Sequence, residues 1–267
     1  MRRLILLLLT ACATQTTTNP SSPAAERLQQ TPRHNEWVEV RHDDRVVQTY
    51  VAYPEVSTRV PVVLLIHENR GLTDFERSVA DKLAENGFIA VAPDMLSGMA
   101  PNGGRASDFP TLDAAREAIG RLPPQQVMAD LQSVADYAKK IPAANGTLYV
   151  GGFCWGGART WLFSNARPDL AASFVFYGTG PQEASGIAGV RAPVYGFYGG
   201  NDARVNATIP KTQELMTAAN KTFDPVTYDG AGHAFMRSGM AADATEANKR
   251  AHDQSWERWL RLLKGNR

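Results

Sequence analysis

Apolar residues follow two rhythms along this chain, and the changes between them outline a fold. Val62-Val-Leu-Leu-Ile66 and Phe88-Ile-Ala-Val-Ala92 are unbroken apolar runs, the pattern of strands covered on both faces in a parallel sheet. Between them, residues 74–86 space their apolar side chains as a helix does and stop at Gly87, so strand, helix and strand form a crossover unit. The alternation continues with predicted helices over 124–139, 158–166 and 209–219 and predicted strands over 172–177, 192–198 and 223–228. Ahead of it, residues 37–40 and 46–53 alternate apolar and polar positions around His42-Asp-Asp-Arg45, which predicts an antiparallel hairpin at the sheet edge. In the last periodic stretch, 244–263, Trp256, Trp259, Leu260 and Leu263 share a face, as anchors in a core do. His252 falls on its exposed side. Together these elements predict one α/β domain over residues 36–265, with a mostly parallel central sheet and helices on both faces. Only residues 96–121 lose the rhythm. That glycine-containing stretch reads either as a lid or specificity loop over the site face, or as an ordinary surface excursion.

The ends of the chain follow other rules. Met1-Arg-Arg-Leu-Ile-Leu-Leu-Leu-Leu-Thr-Ala has a basic start and an apolar core too short to span a bilayer, the makeup of an export signal over residues 1–11. Leu9-Thr10-Ala11-Cys12 is similar to a bacterial lipobox, with Cys12 as the lipidated residue; the alternative is that Ala11-Cys-Ala13 is an ordinary cleavage site. Residues 12–35, rich in Thr, Ser, Pro, Gln and Ala, are expected to form a flexible tether. The chain is thus expected in a bacterial cell envelope, lipid-anchored, or otherwise soluble in the periplasm or secreted.

Charge narrows the ligand class. With 28 Lys and Arg against 27 Asp and Glu in 267 residues and no basic stripe, nothing favours nucleic acid, and a small molecule is the expected partner of what reads as a monomer. His67-Glu68 lacks the second histidine of a zinc-protease helix, and no other metal-ligand spacing or cofactor motif occurs.

The chemistry centres on Thr147-Leu-Tyr-Val-Gly-Gly-Phe-Cys154-Trp-Gly-Gly157. A strand ends in glycines, presents one nucleophilic side chain, and meets two more glycines before a helix: the nucleophile elbow, with Gly152 and Gly156 in its two required places. Downstream come Tyr198-Gly-Gly-Asn-Asp202 and Gly230-Ala-Gly-His233, in the order nucleophile, acid, histidine that α/β-hydrolases use. Each follows a predicted strand, where open parallel sheets bind ligands. Asp229 is the rival acid. A free cysteine, with its pKa of about 8.5, is mostly protonated at neutral pH, so His233 is the expected base and Asp202 its orienting partner. Backbone N–H groups of Trp155, after the nucleophile, and Asn69, after an early strand, are the expected oxyanion donors. Glu68 would sit beside the thiol. The bland alternative is a buried cysteine that only fills space. A second alternative is a tethered protein that uses Cys154 as a redox-sensing thiol.

His67-Glu-Asn-Arg-Gly-Leu72, Ala92-Pro-Asp94, Gly152-Phe-Cys-Trp-Gly-Gly157, Gly199-Gly-Asn-Asp202 and Gly232-His-Ala-Phe235 together resemble dienelactone hydrolase, also called carboxymethylenebutenolidase. The resemblance runs from about residue 37 to 264. It implies an α/β-hydrolase fold and hydrolysis of a lactone or ester through a thioacyl intermediate on Cys154. It also implies a triad of Cys154, Asp202 and His233, with Glu68 as a carboxylate that helps to activate the thiol. Arg237 and, more loosely, Arg116 are implied as arginines that hold a substrate carboxylate.

Overall fold

The unbroken apolar runs lie in the middle of an eight-stranded sheet. The computed structural model describes residues 22–265, and the expected signal segment and Cys12 lie outside them. In chain order the elements are α1 (Pro23–Gln30), β1 (Asn35–His42), β2 (Arg45–Ala52), β3 (Val60–Ile66), α2 (Asp74–Glu85), β4 (Ile89–Pro93), α3 (Leu112–Arg121), α4 (Pro124–Lys140), β5 (Ala144–Phe153), α5 (Trp155–Ala166), β6 (Ala172–Phe176) and β7 (Val194–Gly199). They continue with α6 (Ala203–Asn206), α7 (Ile209–Ala218), β8 (Phe223–Tyr228), α8 (Phe235–Ser238) and α9 (Glu246–Leu263). The strands run in the order β1-β2-β4-β3-β5-β6-β7-β8. Only β1 with β2 and β2 with β4 pair antiparallel; every pairing from β4 to β8 is parallel.

Side chains that alternate along β3 explain the two layers. Val63 and Leu65 face one core with Phe75, Val79 and Leu83 of α2 and Trp256, Trp259 and Leu263 of α9. Val62, Leu64 and Ile66 face the other, with Val127, Leu131 and Val134 of α4 and Ala115 and Ile119 of α3. These residues are fully or almost fully buried, and each large aliphatic or aromatic side chain withdrawn from water contributes about 1.5–3 kcal/mol. Because β3 and β5 are central and parallel, their C-terminal ends lie side by side, with Ile66 paired to Gly152. The loops that leave those ends are therefore neighbours.

Three expectations change. The segment expected as a flexible tether is folded from Ser22 onward: Ser22 caps α1 by accepting the Ala25 N–H, and Pro23 opens the helix. What holds α1 down is a buried carboxylate on α2. Asp81, 1% exposed, lies 2.6 Å from Arg27 Nε, 2.8 Å from Arg33 Nε, and accepts a hydrogen bond from Thr31 Oγ1. These polar residues are ordered by a partner about fifty positions away, which local composition does not register. Within 96–121 the chain forms two short 3₁₀ turns and then α3, capped by Thr111; Asp94 holds the turns by accepting the Leu96 and Ala106 N–H groups. His252 is 8% exposed and shares a hydrogen bond with Met236 O, so it belongs to the packing under α8 rather than to the surface.

Candidate active site

Five strand ends build the site, those of β3, β5, β6, β7 and β8. β5 ends at Phe153 and Cys154 turns the chain into α5 with φ 55° and ψ −113°, a left-handed conformation that a side chain enters only under constraint. The constraint is close packing of backbone. A Cβ on Gly152 would collide with Gly156 O, and one on Gly156 would collide with Ile66 O and stand 2.5 Å from His67 O. The turn is pinned on its other side by Cys154 N–H donating to Phe176 O at 3.0 Å. Trp155 is the first residue of α5, so its N–H is among the helix amides with no intrahelical acceptor.

Asp202 follows β7 and caps α6, accepting the Val205 N–H. His233 follows β8, in a loop held by Asn248 Oδ1 accepting the Gly232 N–H at 2.9 Å. The two loops touch backbone to backbone: a Cβ on Gly199 would lie 2.6 Å from Gly232 O. This brings three side chains into line. His233 Nδ1 is 2.5 Å from Asp202 Oδ2, and His233 Nε2 is 3.1 Å from Cys154 Sγ. Asp202 is 7% exposed and Cys154 partly so, so solvent or a ligand reaches the sulfur while the acid stays shielded. The hydrogen bond to Cys154, then that to Asp202, outweighs burial and raises the imidazole to a pKa of about 9. The arrangement therefore favours a proton on the imidazole that faces the sulfur.

That shift has a sign in stability. An unfolded histidine titrates near ~6.5, so folding takes up a proton between that value and about 9. The contribution is complete below the lower value and is lost as pH rises through the upper one. The thermal midpoint of the native protein, minus that of His233→Gln, is expected to shrink steadily between pH 6 and pH 9.5. A constant difference would contradict the assignment.

Glu68 is 3% exposed, and its two oxygens are occupied: Tyr177 OH donates to Oε1 at 3.2 Å, and Arg237 Nε donates to Oε2 at 2.9 Å. Arg237 is thus brought to the site, but it is engaged by Glu68. Arg116 stands near enough to Arg70 for its charge to oppose that guanidinium. It lies exposed on α3, 2.7 Å from Asp113, because the helix that carries it turns its apolar face, Ala115, Ala118 and Ile119, inward. Asn69 is partly buried in the loop after β3.

Three residues complete the site that the sequence alone does not single out. Tyr177 follows β6 with φ 40°, and its ring meets that of His233 edge-on at 5.1 Å. Burial, and then Glu68, hold its hydroxyl well above the usual tyrosine range, so it remains a donor. Its signal was its place at the end of a parallel strand. Glu76 closes the capping box of α2 with Thr73, a motif legible as Thr-x-x-Glu. Its other oxygen accepts the Glu68 N–H at 2.9 Å, and burial, then Glu68, push it up to about 7. Arg70 has no ion-pair or hydrogen-bond partner among the described residues. Burial and the neighbouring Arg237 make its charge less favourable. It borders a cavity of about 730 Å³ shared with Arg237, Leu72, Phe109, Leu112 and Met240. Arg237 lines the cavity, whereas Glu68 and Cys154 do not.

Comparison with known proteins adds an independent line. Residues 47–266 match the family model described as the dienelactone hydrolase family. The chain is 33% identical over 213 residues to a protein of Methylorubrum extorquens named "Putative carboxymethylenebutenolidase", covering 74% of this chain and 71% of that one. A protein of the same name from Escherichia coli is 30% identical over 269 residues, covering 91% of this chain and 93% of that one. Among solved structures, a "Putative Dienelactone Hydrolase" from Klebsiella pneumoniae superposes with a TM-score of 0.76 at 26% identity, over 88% of this chain and 99% of that one.

Proposed function

The chain belongs to the dienelactone hydrolase family and is a hydrolase, and from that premise we propose that it cleaves a lactone or carboxylic ester through a thioacyl intermediate on Cys154. One observation carries the reading: the unbroken line of Asp202 Oδ2, His233 and Cys154 Sγ at hydrogen-bond distances.

The steps follow from those positions. Cys154 passes its proton to His233 Nε2, and the thiolate attacks the substrate carbonyl carbon. A C–S bond forms while the carbonyl π pair moves to oxygen. The N–H groups of Trp155 and Asn69 receive that oxyanion. When the C–O pair re-forms, the bond to the alcohol oxygen breaks, and the His233 proton goes to the leaving alkoxide. Water, deprotonated by His233, then attacks the thioester and releases the carboxylic acid and the thiol. A lactone opens to a hydroxy acid by the same sequence. Asp202 stabilises the imidazolium at both stages. Glu68, itself held by Tyr177, keeps Arg237 in place at the site through its other oxygen. The unpaired Arg70 at the cavity supports substrates with an anionic end, such as a carboxylate.

The experiment is capture of the intermediate. Acid quenching during turnover of p-nitrophenyl acetate should leave an acetyl mass on the peptide that contains Cys154. Continued hydrolysis with no acyl group on that peptide at any time would rule out the covalent route.

A further inference from the structure

We propose that His67, a residue that the mechanism above does not use, is a positioning residue that aims both oxyanion donors. The inference deepens the ester-hydrolase reading and rests on it. His67 is completely buried at the end of β3, and each of its ring atoms that can bond does so. Nδ1 is 2.6 Å from Glu68 O, and Nε2 is 3.2 Å from the Met95 N–H. An N–H can meet Nε2 only if that nitrogen is the acceptor, so Nδ1 carries the proton and donates it to Glu68 O. Burial lowers the imidazole from its ordinary range, in keeping with a neutral ring.

The bond to Glu68 O fixes more than a carbonyl. Glu68 C=O and Asn69 N–H belong to one peptide unit, and no described peptide is cis. In a trans peptide the C=O and N–H point in opposite directions within one rigid plane. Holding the oxygen against Nδ1 therefore turns the Asn69 N–H away from the imidazole and stops the plane from rotating. Glu76 secures the preceding peptide through the Glu68 N–H, so the two planes that flank Glu68 are both fixed.

The same ring reaches the second donor. His67 stacks on the Trp155 indole, with centroids 5.5 Å apart and planes 13° from parallel, and the Arg159 guanidinium lies 4.9 Å from the Trp155 ring. Trp155 is the first residue of α5, so the seat of its side chain bears on the direction of its N–H. The close approach of Gly156 to His67 O locks the two donor-bearing segments to each other. His67 thus touches the residue or the peptide of each donor, and its hydrogen bonds and ring stacking go to Glu68, Met95 and Trp155 rather than to Sγ or His233.

That separation defines the test. Acylation of Cys154 by p-nitrophenyl acetate builds an oxyanion; alkylation of the same thiol by iodoacetamide does not. In His67→Phe, which keeps a stacking ring but has no donor, acylation is expected to fall roughly 10²-fold while alkylation stays within about two-fold of wild type. Asparagine carries its amide nitrogen where Nδ1 stood, and glutamine carries it nearer to Nε2. His67→Asn is therefore expected to acylate about ten-fold faster than His67→Gln, a comparison that holds even if the phenylalanine variant does not fold. Equal loss of acylation and alkylation, loss of neither, or glutamine matching asparagine would each overturn the proposal. A wild-type protein that alkylates at Cys154 but never acylates would instead overturn the hydrolase reading itself, and the inference with it.

Discussion

Turnover of small activated esters by Cys154→Ala is expected to fall by roughly four orders of magnitude with the fold intact. The size follows from what is removed. Without Sγ there is no covalent route, and what remains is water attacking a carbonyl polarised by two amide donors. The fold should survive because the Cβ is retained and alanine meets the φ of 55° no worse than cysteine does. The sulfur is also only partly buried, so its lost packing costs about 1 kcal/mol. Initial rates with p-nitrophenyl acetate, taken beside a thermal melt, make the check. An alanine variant that keeps a tenth of the wild-type rate would show that another group attacks.

Gly156→Ala should act in the opposite way, damaging the fold and the chemistry together. The added methyl meets Ile66 O and His67 O, both main-chain atoms of the sheet's central region. Neither can rotate away as a side chain could. Either α5 backs off from β3, carrying the Trp155 N–H with it, or the end of β3 bends. A loss of about 3 kcal/mol or more is expected, read from urea denaturation, together with a large loss of esterase rate. Gly120 provides the control. It lies in α3 with open space where a Cβ would go, so Gly120→Ala should stabilise by about 0.5–1 kcal/mol. If the two variants behaved alike, close packing at the elbow would not be what holds it.

What the sequence reveals depends on how local the cause is. The strands β3 and β4 are legible because burial on both faces leaves an unbroken apolar run. The elbow is legible because its sterics demand glycine at fixed offsets. Asp202 and His233 are legible because chain order and strand ends restrict where such residues fall. By contrast, α1 is held by Arg27, Thr31 and Arg33 reaching Asp81, a partnership between polar residues that no periodicity marks. The helix α3 was hidden because it buries only Ala115, Ala118 and Ile119, too small a face to stand out among glycines and prolines. Arg237 was located, but its engagement with Glu68 is a contact across 169 positions. The freedom of Arg70 follows from its neighbours being taken, Glu68 by Tyr177 and Arg237 and Glu76 by Thr73 and the Glu68 N–H, and Tyr177 and Arg237 are far from Arg70 in sequence.

Glu76 belongs to two structures at once. One oxygen closes the first turn of α2 through Thr73, and the other holds the peptide of Glu68. The ends of most helices loosen and re-form with little effect elsewhere. Here the same breath of the chain that uncaps α2 would also unseat the loop after β3. The amides of Thr73 and Glu68 are therefore expected to exchange with solvent as one event, which would make the lifetime of a helix cap the lifetime of a competent site.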